Sequence, residues 1–223
     1  MARRIGIATI GQAPRDDIAA LFARYAPQGA EVVLRGCLDG LPDEAIAARP
    51  PLSGADTLYT RLRGGTDVRI SKAHVIERAP ETLRLLREDG CDTIVFACTG
   101  DFPPLAGDEG VIFPSRVLNG LSAALLPQGR LGLLVPLPEQ VEKLTAKWRR
   151  PGLEVVGEAL RPSATPAEAA EAARRLKAQA PDLVAMDCMS YDEALKAAVK
   201  PILGVPTLLG ITATARVMNE MLA

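Results

Sequence analysis

Two short apolar runs constrain the fold of this 223-residue chain more than any other feature: Thr93-Ile94-Val95-Phe96-Ala97 and the segment from Asp182 to Met186. Neither alternates apolar with polar residues. Each therefore reads as a strand buried on both faces, which is how strands lie in a parallel sheet covered by helices. Each run is also followed at once by cysteine, Cys98 in the first case and Asp187-Cys188 in the second. Apolar residues make up 48% of the chain and aromatic residues 4%, a balance that suits an Ala/Leu/Val/Ile-packed α/β core rather than an aromatic-rich sandwich. At this length such a core needs no disulfide or metal staple.

The remaining pattern alternates in the same way. Arg4 to Ile10 reads as a strand, a Gly-Gln-Ala-Pro-Arg turn follows, and Asp16 to Tyr25 reads as a helix. Glu31 to Leu34 is a second strand. Leu58 to Arg63 and Thr66 to Ile70 flank Gly64-Gly65 and predict a hairpin near 58–70, placed to act as a flap. Ser71 predicts a helix N-cap, with the helix running through Glu77 to Glu88. After the Cys98 strand, Val111-Ile112-Phe113 predicts a short strand, and Pro114-Ser115-Arg116 opens a helix to about Leu125. The second half predicts strand Arg130–Val135, helix Pro138–Trp148, strand Leu153–Val156, helix Pro166–Gln179, strand Asp182–Met186, strand Thr207–Leu209 and helix Ile211–Leu222. Both halves thus follow one plan. The expected division is 1–125 and 126–223, two α/β lobes without a flexible linker, with the closing helix able to pack on the N-terminal lobe.

Charge and cysteine usage exclude several functions. A formal net charge of −1, with acids and bases interspersed, supplies no basic field for phosphate backbones, so no nucleic-acid partner is expected. The start Met-Ala-Arg-Arg is followed by an apolar run too short for a signal sequence, and no stretch approaches a membrane span, so a cytoplasmic protein is expected. Cys37, Cys91, Cys98 and Cys188 are widely spaced and His74 is the only histidine, a pattern without metal-ligand spacing. No metal is expected. A homodimer is the default assembly, because symmetric dimers are the commonest.

Ligands of parallel α/β sheets bind beyond the carboxyl ends of the strands. The residues there are Thr9, Gln12 and Arg15; Cys98, Thr99 and Gly100; Ser115 and Arg116; and Cys188, Ser190 and Tyr191. A thiol at a strand-to-helix junction meets the helix dipole and nearby amide N–H groups, which favour thiolate. Cys98 and Cys188 both occupy such positions, whereas Cys37 and Cys91 read as structural. Arg15 and Arg116 are the candidate clamps for an anion, with Thr9, Gln12, Thr99, Gly100, Ser115, Ser190 and Tyr191 as further substrate-binding candidates. Asp187 is either a helix N-cap or a negative charge that keeps Cys188 protonated, and Asp101 beside Cys98 has the same two readings. His74 reads as a surface or flap residue.

Ile7-Ala8-Thr9-Ile10-Gly11-Gln12-Ala13-Pro14-Arg15, Phe113-Pro114-Ser115-Arg116, Val135-Pro136 and Met186-Asp187-Cys188 together resemble the AroM family over essentially the whole chain. AroM proteins are similar in turn to the aspartate/glutamate racemase superfamily. That resemblance implies two pseudo-symmetric lobes of parallel sheet flanked by helices, with the active site in the interlobe cleft. It also implies a cofactor-independent isomerase or racemase acting on a small anionic, carboxylate-bearing metabolite. In such racemases a cysteine from each lobe acts on one face of the substrate Cα, and Cys98 and Cys188 match those positions. The superfamily's other activities imply alternatives: a single-cysteine lyase, decarboxylase or cis-trans isomerase, or a non-catalytic metabolite-binding protein. The sequence departs from the racemases at both sites. They commonly carry Cys-Asn-Thr and Gly-Cys-Thr-His where this chain has Cys98-Thr99-Gly100 and Asp187-Cys188-Met189-Ser190, so the usual histidine helper is missing.

Overall fold

The computed structural model describes residues 3–223, so Met1 and Ala2 of the basic start lie outside the described residues. The chain divides into two compact units, 1–114 with 214–223, and 115–213.

Unit 1 is built on a parallel three-stranded sheet, β2 (Glu31–Gly36), β1 (Arg4–Thr9) and β5 (Thr93–Ala97), in that order. Ile7 pairs with Leu34 on one side and Val95 on the other, and Thr9 ends opposite Ala97, the residue before Cys98. The expected strand at 111–113 is reduced to one bridge: Ile112 donates to Ile94 O at 2.8 Å and accepts from Phe96 N at 3.0 Å. Pro114 cannot donate to a ladder, and its helix begins there, which stops the pairing. Helices α1 (Asp16–Tyr25) and α3 (Lys72–Glu88) pack against the sheet, and a short α2 (Asp43–Ala47) follows β2. Ser71 caps α3 by accepting from His74 N at 3.2 Å.

The hairpin is present as antiparallel β3 (Thr57–Arg61) and β4 (Asp67–Ser71). It sits against the loop after β1. A Cβ at Gly11 would collide with Thr60 Oγ1 and lie 2.8 Å from Arg61 O, so only glycine lets the hairpin come this close.

Unit 2 carries four parallel strands in the order β7 (Leu153–Ala159), β6 (Gly129–Val135), β8 (Leu183–Met186), β9 (Thr207–Leu209). Helices α4 (Pro114–Leu125), α5 (Val141–Trp148, entered through a 3-10 turn at Pro138–Gln140) and α6 (Pro166–Ala178) belong to it. The sequence pattern gave no helix between Cys188 and Thr207, yet α7 (Glu193–Leu203) lies there. Its signals are Asp192, whose side chain accepts from Leu195 N at 2.7 Å, and Gly204, a left-handed C-cap at φ 71°. Pro201, inside its last turn, obscures the helical pattern. The closing helix α8 (Gly210–Leu222) begins in unit 2 and contributes its residues from Thr214 onward to unit 1.

Counting Ile112 as a fourth place, both units have one strand order: second, first, third, fourth in their own sequence. Cys98 follows the third strand of unit 1's parallel sheet and Cys188 the third strand of unit 2's. The two thiols are therefore topological equivalents. Each unit has its own apolar core, around Ala8, Leu83 and Phe96 in the first and Leu133, Trp148 and Ala185 in the second.

Candidate active site

At Cys98 the chain leaves β5 in a tight turn, with Cys98 N donating to Phe96 O at 2.6 Å. The amide of Gly100 donates to Cys98 Sγ at 3.3 Å. A Cβ on Gly100 would lie 3.2 Å from that sulfur and 3.2 Å from Leu58 of the hairpin. Phe102 then packs edge-on against Phe96, ring centroids 5.0 Å apart, which pins the segment beyond the turn. No helix follows Cys98 until α4. The expectation that a helix dipole faces this thiol is corrected: no helix starts there, and the Gly100 turn amide donates to it instead. Asp101 has no helix to cap either; it is exposed, and its carbonyl accepts from Lys72 Nζ at 3.1 Å.

Cys188 repeats the arrangement. The amide of Ser190 donates to Cys188 Sγ at 3.4 Å, so in both units the thiol accepts from the backbone N–H two residues on. An N–H aimed at sulfur favours thiolate over thiol. Asp187 is not the helix cap, because Asp192 holds that place on α7. Instead Asp187 N donates to Leu134 O at 2.9 Å, and its carboxylate accepts from Trp148 Nε1 at 3.0 Å. Tyr191 holds the other end of the turn, donating its hydroxyl to Leu160 O at 2.5 Å. With only 1% of its surface exposed, Tyr191 is a structural anchor more than a ligand group.

The loop between β1 and α1 is fixed by residues the sequence pattern did not single out. Asp39 accepts from Ala13 N at 2.8 Å and Gly36 N at 2.7 Å, and Arg63 Nε donates to Ala13 O at 2.7 Å. The signal was present in Leu38-Asp39-Gly40, a turn whose aspartate can accept backbone N–H groups. Gln12 is buried, and its amide, expected to face an anion, is committed to the protein: Nε2 donates to Leu41 O at 2.8 Å and Oε1 accepts from Arg63 N at 3.1 Å. Thr9 is buried at the end of β1 with Oγ1 3.5 Å from Gly11 N.

Arg15 immediately precedes α1 and is 5% exposed. Its Nε and Nη2 donate to Asp17 at 2.9 and 2.7 Å, a two-point pair in which Nη1 takes no part. Burial pushes the Asp17 carboxyl up, but the hydrogen bonds and charge of Arg15 outweigh it and hold the carboxyl below its ordinary range. Thr99 and Ser115 are buried, Gly100 and Ser190 half-buried, and Arg116 exposed.

The other two thiols differ in kind. Cys37 follows β2, yet burial pushes it up to about 12 against the pull of Thr82 and Arg78. Cys91 sits below β5 against Gly6, pushed up to about 11 by burial and by Asp89. Neither offers thiolate near neutral pH. His74, read as a surface or flap residue, is instead buried in the first turn of α3 at 4% exposure. Burial and the Arg49 charge lower its pKa, which keeps the imidazole neutral. No cluster of three or more metal-ligating side chains occurs among the described residues, and no helix among them is long and apolar enough to cross a membrane.

A family model described as AroM protein matches residues 5–222. No curated protein matches the chain in sequence. Solved structures do match in fold. Glutamate racemase from Francisella tularensis subsp. tularensis SCHU S4, in complex with D-glutamate, superposes with a TM-score of 0.61 at 15% identity, over 99% of this chain and 81% of that one. Unliganded arylmalonate decarboxylase gives 0.61 at 16% identity, over 98% and 92%. Allantoin racemase from Pseudomonas fluorescens gives 0.58 at 15%, over 98% and 90%. At these identities the likeness establishes a shared α/β fold and no activity.

Proposed function

Because the chain belongs to the AroM protein family, on a fold it shares with two racemases and a decarboxylase, we propose that it is a cofactor-independent isomerase or racemase-like enzyme acting on a small carboxylate-bearing metabolite. Cys98 and Cys188 are its acid/base pair. The observation that carries this reading is their shared geometry: each follows the third strand of its unit's parallel sheet, and each sulfur accepts from the amide two residues on, at 3.3 and 3.4 Å. Two inert core cysteines would have no reason to share a hydrogen-bonded turn.

In this reading a thiolate removes the proton α to the substrate carboxylate and a thiol returns one on the opposite face. The negative charge that spreads into the carboxylate needs donors. Arg15 serves through the nitrogen not engaged by Asp17, with Arg116, Thr99, Ser115 and Ser190 as further donors. The complex of the glutamate racemase with D-glutamate supports a small amino-acid or dicarboxylate substrate.

A decarboxylase on the same fold favours a second reading, in which Cys188 alone delivers a proton to a carbanion left by a departing group. A panel of α-amino acids, mono- and dicarboxylates, incubated without added cofactor and followed by chiral chromatography, separates the two. Loss of turnover in both Cys98→Ser and Cys188→Ser supports the pair. Loss in Cys188→Ser alone supports the single-cysteine reading. Stabilisation by a carboxylate without turnover makes the protein a binder.

A further inference from the structure

Arg15 and Asp17 form an ion pair whose two members differ in setting: the Arg15 side chain is 4% exposed and the Asp17 side chain 51%. Both oxygens of Asp17 lie on one edge of the guanidinium, Oδ1 accepting from Nε at 2.9 Å and Oδ2 from Nη2 at 2.7 Å. A buried guanidinium needs an anion beside it, and this one takes it from a half-exposed side chain two residues along the chain. We propose that Asp17 stands where a ligand carboxylate belongs: a small carboxylate enters at Nη1, takes over the Nε/Nη2 edge of Arg15 and turns Asp17 out to solvent. This rests on the reading of Arg15 as carboxylate clamp and names the subsite within it, all of whose residues belong to unit 1.

Only one member of the pair is free to move. Arg15 follows the loop that Gln12, Asp39 and Arg63 fix through Arg63 N, Ala13 N and Ala13 O. Asp17 is the second residue of α1, and a side-chain rotation there leaves the helix backbone as it is. Once released, its carboxylate is still favoured. It stays in the first turn of the helix, where the macrodipole attracts negative charge. The charge of Arg61 on the hairpin also acts on it, while Arg61 Nε donates to Asp67 at 2.9 Å.

The edge that Asp17 leaves presents two parallel N–H donors, spaced for the two oxygens of one carboxylate. A ligand of that class reproduces the bond Asp17 makes and neutralises the guanidinium as it arrives. A neutral amide or alcohol of the same size would displace the aspartate only by leaving a buried charge without a counter-ion. Asp17 therefore lowers the affinity for every ligand and lowers it most for uncharged ones, which makes it a specificity-determining residue of the clamp.

Calorimetry on the full chain with malonate, and with malonamide as its neutral counterpart, tests the exchange. Wild type should bind malonate and not malonamide. Asp17→Asn should bind malonate more tightly, by up to about tenfold, whereas Asp16→Asn, which removes an equal charge from the same exposed turn, should change little. Arg15→Ala should lose the binding. Asp17→Asn should also unfold at lower denaturant, because Arg15 loses its counter-ion, and saturating malonate should stabilise it by more than it stabilises wild type. Wild type gives a second readout that does not depend on how that variant folds: at saturation the Asp17 carboxyl carbon resonance should move to its position in Arg15→Ala, while Arg15 Nε–H stays protected from exchange. Affinity unchanged or weaker in Asp17→Asn, a gain equalled by Asp16→Asn, malonamide bound as well as malonate, or an Asp17 resonance unmoved at saturation overturns the exchange and leaves Arg15 as the clamp. Binding that survives Arg15→Ala, or no binding by any variant, overturns clamp and exchange together.

Discussion

The backbone N–H of Arg63 donates to the side-chain Oε1 of Gln12 at 3.1 Å, which joins the β3–β4 hairpin to the loop after β1. Gln12 Nε2 donates to Leu41 O at 2.8 Å, so one buried side chain ties three segments of unit 1 together. Gln12→Ala leaves both backbone partners unmet and should cost about 1–3 kcal/mol of stability. Denaturant unfolding checks the cost. Hydrogen exchange should show the Arg63 amide losing protection first.

Gly36 makes the same loop possible by its lack of a side chain. A Cβ there would meet Gly11 O and lie 2.7 Å from Gln12 Cα and 2.8 Å from Ala13 N, contacts with backbone that cannot swing away. Gly36→Ala should therefore displace the Gly11–Arg15 loop and weaken carboxylate binding, measured by calorimetry. Gly40→Ala, where no neighbouring atom lies within reach but φ is 77°, should lower stability through strain alone and leave binding intact.

Arg15 and Asp17 should act in opposite directions on anion binding. Arg15→Ala should weaken a carboxylate by about 1.5–3 kcal/mol if the contact is charge-assisted. Arg15→Lys should recover only part of this, because ammonium cannot reproduce the fork. Asp17→Asn removes the charge that now neutralises Arg15 and should strengthen binding. Equal affinity in all three variants would remove Arg15 from the site.

Two pH effects follow from groups outside the reaction. His74 has a folded pKa below its ordinary 6.5, so the unfolded chain binds the proton more readily. Stability contributed by neutral His74 is present above pH 6.5 and is lost as pH falls from there through the lowered value. As the sole histidine, it gives one imidazole resonance, whose midpoint should lie below 6.5. Cys37 has the opposite sign. Its folded pKa is pushed up to about 12, so its contribution is complete below the ordinary thiol value and is lost as pH rises toward 12. Cys37→Ala should flatten the alkaline loss by about 1.4 kcal/mol per pH unit.

Most of the strands were legible because each is short, apolar and bounded by turn residues, and Asp16–Tyr25 and Thr93–Ala97 have the limits their sequence predicts. The hairpin was legible from Gly64-Gly65. What escaped the sequence depends on long-range partners. Asp187 lies 39 residues from the Trp148 indole that claims it, and next to nothing local that would reveal the pair. Gln12 reads as a loop donor until Leu41 and Arg63 come to it. His74 reads as exposed because a histidine in a first helical turn usually is, and only the packing of α3 buries it. The missing α7 was a local failure, in which Pro201 outweighed a clear Asp192 and Gly204.

The central claim is that two thiols move a proton on and off one carbon. Turnover of the substrate in deuterium oxide, followed by mass spectrometry at early times, tests it most directly. The account predicts one deuterium at Cα of every product molecule, little in recovered substrate, and no exchange in the Cys98→Ala/Cys188→Ala double variant. Product that forms without deuterium, or exchange that survives the loss of both cysteines, would contradict it.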